Sequence, residues 1–101
     1  MDSEPITVVE VMPDYSAFPL WDRTPGGFGG MLDPDEFSLS AALASRMVAW
    51  STFWELHHVY GTHDESSGGI WDDWAAEGRA ICSNLEAELG PAVRVQFWPD
   101  R

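Results

Sequence analysis

A small two-layer α/β sandwich, with two long helices packed on a short sheet that pairs the N- and C-terminal strands, follows from three features of the sequence. The first and last apolar segments, Ile6–Met12 and Ala92–Trp98, are β-branched or alternating. Two long stretches between them repeat apolar residues at helical spacing. Elements that each bury one face stack as layers around a shared core. The 101 residues are the size of one domain, taken as residues 1–101, and show no repeat.

Ile6 to Met12 has no breaker and stops at Pro13. Val9 and Val11 face one way with Thr7, while Ile6, Val8 and Met12 face the other with Glu10. Two largely apolar faces predict a central strand. Phe18–Asp22 reads as a short second strand, and Met31-Leu32 pairs back on Leu20-Trp21 across the loop Pro25–Gly30. Asp33-Pro34-Asp35-Glu36 reads as a helical turn with Asp33 as cap, Pro34 at the first position and Glu36 completing a capping box.

The first long helix is expected from Leu39 to about Tyr60, with Ser38 or Ser40 as N-cap and Gly61 ending it. Leu39, Leu43, Met47, Trp50 and Trp54 form its stripe. Ala42, Ala49, Phe53, Leu56 and Tyr60 widen that stripe into a broad apolar sector. The second helix spans Ile70–Leu89 with the stripe Ile70, Trp74, Gly78, Ile81, Leu85 and Leu89, and ends at Gly90-Pro91. A mid-helix glycine costs about 1 kcal/mol against alanine, so Gly78 implies a close approach, expected from the first helix. Trp50, Trp54 and Trp74 are expected in the core. In the last strand Val93, Val95 and Phe97 face in, Arg94 and Gln96 out.

Charge narrows the partners. Seventeen Asp and Glu stand against five Arg, lysine is absent, and the net charge is −12. Such a chain is repelled by nucleic acid and by anionic membranes, and draws basic proteins. The plain alternative is solubility. The single cysteine, Cys82, allows no internal disulfide, and the acidic start Met1–Pro5 is no signal peptide, which together predict a cytoplasmic protein. No apolar run approaches the ~20 residues of a membrane span. Self-association into a homodimer stays open.

Catalytic patterns do not assemble. His57, His58, His63, Asp64 and Glu65 are metal-binding residue types, but adjacent helical histidines diverge by about 100° and no HxxxH pair exists. The serines lack a nucleophile elbow. Cys82 reads as a structural thiol at the core edge. Asp22, Asp33, Asp72 and Asp73 could supply paired carboxylates, yet Asp72 and Asp73 stand where acids favour the helix dipole. The glycine loop lacks a phosphate-binding pattern. No metal or cofactor is expected.

The acids carry a better clue. Asp73, Glu77, Asn84 and Glu88 share one outward face of the second helix, with Asp72 and Glu86 beside it. Neither Arg46 nor Arg79 has an acid three or four residues away, so no intrahelical pair neutralises this face. Asp72, Asp73, Glu77 and Glu88 are therefore the candidate contacts of a basic protein partner. The expected function is a non-enzymatic acidic binding module: an immunity protein, an antitoxin-like inhibitor or an adaptor. The alternative is a small enzyme or ligand-binding domain with a pocket at Asp14, Tyr15, Trp21 and Asp22 beside the glycine loop. Repulsion among the acids is expected to raise their average pKa, so that stability falls as pH rises through about 4 to 6.

Three segments taken together resemble a group of small actinobacterial proteins of unknown function. They are Val11–Tyr15 with Pro19-Leu20-Trp21, Asp33-Pro34 leading through Leu39-Ser40 to Trp50, and Glu77-Gly78-Arg79 running to Glu88-Leu89-Gly90. The resemblance covers most of the chain from Val8 onward and implies no activity.

Overall fold

The computed structural model describes residues 5–15, 17–27, 29–58 and 70–98. In chain order these form β1 (Val8–Val11), β2 (Leu20–Asp22), a 3-10 turn (Pro34–Phe37), α1 (Ala41–His58), α2 (Ile70–Leu89) and β3 (Arg94–Phe97). The strands make one mixed sheet in the order β2-β1-β3, with β1 antiparallel to β2 and parallel to β3. The two chain-end strands pair as the sequence predicts. Only β1 is central, and β3 lies at an edge of the described sheet.

Register fixes the faces. Val9 stands opposite Asp22 and Val95, and Val11 opposite Leu20 and Phe97. These six side chains share the face that bears the helices, and Val9, Val11, Leu20 and Phe97 are buried there. Glu10, Trp21 and Gln96 align on the other face. Glu10 is fully buried on it, and Arg23 Nε donates to Glu10 Oε1 at 2.9 Å. The Arg23 guanidinium also stands 5.9 Å from the Trp21 ring centroid. Met31 bridges Trp21, and Leu32 N–H donates to the Leu20 carbonyl, as the expected return of the chain requires.

Two helix starts differ from expectation. Asp33 makes no side-chain cap, because in a 3-10 turn Glu36 N–H reaches the Asp33 backbone carbonyl directly, at 3.1 Å. Ser38 ends that turn in the left-handed region at φ 53°. Leu39 therefore precedes the long helix, and Ser40 is its N-cap: Leu43 N–H donates to Ser40 Oγ at 3.2 Å. The expected end at Tyr60-Gly61 lies outside the described residues. Ile70–Leu89 spans α2 as predicted, closed by Gly90 at φ 83°.

The core gathers Leu43, Met47 and Trp50 of α1 with Trp74, Ile81 and Leu85 of α2 against the sheet. A Cβ on Gly78 would lie 2.5 Å from the Phe97 ring and 2.9 Å from Trp50 Cζ2. The missing side chain thus admits β3 as well as α1. Trp50 and Trp74 stack at 4.3 Å and 6°. Trp50 Nε1 donates to the Trp74 carbonyl at 2.8 Å, and Trp74 Nε1 to the Trp50 carbonyl at 3.0 Å. Both buried indole donors are satisfied by the opposite helix. Trp54 is half-buried, its ring tilted against Tyr15 at 5.3 Å. The apolar sector of α1 exceeds what the core covers, since Ala42, Val48, Ala49 and Leu56 are exposed. Among the described residues no helix is long and apolar enough to cross a membrane.

Candidate functional site

The four acids proposed from sequence as one face divide between two environments. Asp72 and Asp73 are exposed in the first turn of α2 and form no ion pair with a described residue. Glu77 is taken up by Arg46 of α1, whose Nε and Nη2 donate to its two oxygens at 3.1 and 3.0 Å. The hydrogen bonds from this fork, opposed by partial burial, raise the Arg46 pKa further. No pair within α2 neutralises Glu77, as the spacing predicts, but Arg46 reaches it from α1. The pair forms between helices, where spacing along one helix carries no information.

Glu88 is also occupied. Ser40 N–H donates to Glu88 Oε1 at 2.8 Å, and Ser40 O–H to Glu88 Oε2 at 2.6 Å. Those bonds, side chain first and backbone second, hold the Glu88 carboxyl below the usual carboxylate range. Position N3 of α1 is Leu43, which cannot return a hydrogen bond to the cap. Glu88 does so from α2 and completes a capping box between the two helices. It also brings a negative charge to the N-terminus of α1, whose first turn has no acid of its own.

Next to Asp72 and Asp73 lies a groove between α1 and α2, with a volume of about 440 Å³. Ala49, Trp50, Phe53 and Trp74 give it apolar walls, and Arg46, Asp73 and Glu77 supply its polar groups. Two of the acids singled out from sequence thus meet an aromatic floor that sequence reasoning assigned to the core alone. The available signal was the width of the α1 sector: Ala49 and Phe53 are apolar positions beyond what the sheet can cover.

The alternative site at Asp14, Tyr15, Trp21 and Asp22 is spread over two elements. Trp21 and Asp22 point to opposite faces of β2. Asp22 is buried, with its Oδ1 accepting the Thr24 N–H at 2.9 Å. Trp21 Nε1 donates to the Met12 carbonyl, and Asp14 Oδ1 accepts the Tyr15 N–H. Tyr15 is exposed. These bonds tie the two carboxylates and the indole to local backbone. His57 stacks on Phe53 at 3.9 Å, and its Nδ1 is 2.8 Å from the Phe53 carbonyl. His63, Asp64 and Glu65 lie outside the described residues.

A family model described as Serratia CdiI immunity protein-like matches residues 7–100. The chain belongs to this family. A search of curated proteins finds no match. Family membership decides between the two readings of the sequence in favour of a protein-binding module of the immunity type. The match starts one residue before β1 and runs beyond β3, so it takes in the whole described fold, including both helices that line the groove.

Proposed function

We propose that this chain is the immunity partner of a basic toxin and meets it through the N-terminal end of α2. The family match over residues 7–100 carries the reading. It is supported by the net charge of −12 and by Asp72 and Asp73, exposed and without an ion pair to any described residue. A negative field of this size speeds the encounter with a cationic partner, and its effect shrinks as salt screens it. The proposed place of action is the cytoplasm, where Cys82 stays reduced.

Co-expression with candidate basic toxin domains tests the reading: with its cognate toxin the chain should restore growth and co-purify. Stopped-flow mixing should show an association rate that falls by about an order of magnitude or more between low and high salt. Asp72→Asn should lower the association rate and leave dissociation unchanged, as expected for a charge at an interface rim. Growth arrest despite co-expression, or an association rate indifferent to salt, would overturn the proposal.

A further inference from the structure

The groove between α1 and α2 has a lining of mixed character. Its walls are Ala49, Phe53 and the edges of Trp50 and Trp74. The indoles spend their N–H groups on each other's backbone carbonyls and their facing surfaces on each other, so what they offer the groove is apolar. Asp73 and Glu77 sit one turn apart on α2 and line the same side. Glu77 is held by Arg46, while Asp73 has no ion pair with a described residue. The three charges in the lining sum to −1, inside a chain of net charge −12.

Each class of occupant meets this lining differently. A purely apolar side chain would strip water from Asp73 and return no hydrogen bond. An acidic one would face Asp73 at close range and the field of the whole chain. A long basic side chain fits both parts, because its methylene stem lies along aromatic walls while its cationic head reaches a carboxylate. Ala49 is exposed on α1, and its methyl group is the smallest side chain in the lining.

On this basis we infer that the α1–α2 groove is the anchoring pocket of the interface and receives a lysine or arginine side chain of the toxin, whose head pairs with Asp73. The inference rests on the immunity reading above. It goes further in naming the pocket, the chemistry of the anchor and the residue that meets it. Asp72 and Asp73 are neighbours in sequence with different roles: Asp73 lines the groove and Asp72 does not. Removing a rim charge slows association, whereas removing one partner of an enclosed charge pair speeds dissociation.

The test measures both rate constants for the purified toxin domain that co-expression identifies, against wild type, Asp72→Asn, Asp73→Asn and Ala49→Phe. Ala49→Phe fills the groove from an exposed position, and an unchanged melting midpoint establishes that the variant folds. Asp73→Asn and Ala49→Phe should each raise the dissociation rate by about tenfold or more, the scale of losing one central anchor. Asp72→Asn should act on association alone. If the complex forms with salt-dependent association but Asp73→Asn and Ala49→Phe leave dissociation unchanged, the groove is not the anchor, and the acidic-face reading stands without it. If the toxin is not bound by wild type at all, the immunity reading itself has failed. Should Ala49→Phe not fold, Asp73→Asn decides alone once its melting midpoint shows that it folds, since Asp73 is exposed and forms no ion pair with a described residue.

Discussion

Asp72 and Asp73 in the first turn of α2 belong to the same acidic run as Glu77 and Glu88 further along it, but only the later pair is tied to α1. From Trp74 onward α2 is an anchored element, beginning with the stack and the reciprocal hydrogen bonds between Trp74 and Trp50. Glu77 holds Arg46, Gly78 admits Phe97 and Trp50, Ile81 and Leu85 are fully buried, and Glu88 caps α1. At the N-terminal end the carboxylates stand in solvent beside an open groove. Like side chains on one face thus meet different surroundings. Carboxylates that meet a donor on the neighbouring helix fix its position, whereas Asp72 and Asp73 are exposed and form no ion pair with a described residue. The division teaches that an acidic face should be read by subtracting the acids that the fold itself consumes.

If α2 is anchored from Trp74 onward, with Gly78 at its closest approach to the sheet and α1, the largest loss of stability should come from Gly78. Gly78→Leu places atoms where a Cβ alone would already stand 2.5 Å from Phe97 and 2.9 Å from Trp50. Phe97 is buried and Trp50 is locked by stacking and by its hydrogen bond, so neither ring can withdraw without opening the core. The cost should be about 3 kcal/mol, the upper end of ordinary overpacking penalties, read by urea unfolding. A change near zero would mean that the two rings move aside freely and that the anchor lies elsewhere.

The next effect is smaller and isolates one tie. A double-mutant cycle over Arg46→Ala and Glu77→Ala should give a coupling of about 0.2–1 kcal/mol. The bidentate geometry favours the upper part of that range, while side-chain exposures of 38% and 43% limit it by screening. The coupling should shrink in high salt. The same cycle between Arg46 and Asp72 should show none. Equal couplings would erase the distinction between the anchored and the presenting acids.

What the sequence made legible follows from the range of the forces involved. The strands, the span of α2, its cap at Gly90 and the close approach at Gly78 depend on local propensity and on periodicity within one element. The pairs Arg46–Glu77 and Ser40–Glu88 join residues 31 and 48 positions apart. They depend on how one helix slides and turns against the other, which no local pattern specifies. Each left a trace all the same. Arg46 had no acid within helical reach, and Ser40 headed a helix whose N3 position, Leu43, could not close the capping box. A donor or a cap left unanswered along its own helix is a reason to look for an answer on the next one. The Trp50–Trp74 clasp, across 24 positions, was legible only as burial, and the groove beside it only as an apolar sector wider than the sheet could cover.

The smallest effect concerns acid, where two contributions of opposite sign meet. Repulsion among like charges would favour the folded state on protonation, which is what the composition alone predicts. Glu88 works the other way. The Ser40 hydroxyl and N–H donate to its ionised form and lower its folded pKa below the unfolded value. Between the two values the unfolded chain binds more protons than the folded one, so Glu88 contributes stability above its unfolded pKa of about 4.3. That contribution is lost as pH falls through the lower, folded value. Glu88→Gln removes the titration and leaves an amide carbonyl that can still accept from Ser40. Subtracting its unfolding curve from that of wild type cancels the repulsion of the remaining acids to first order. Wild type should lose stability more steeply than Glu88→Gln as pH drops from about 5 to 3, and the two should run parallel above about 6. Parallel curves across the whole range would mean that Glu88 is not held by Ser40 in solution. The acid in the C-terminal turn of α2 would then stand in solvent without a described partner, like Asp72 and Asp73.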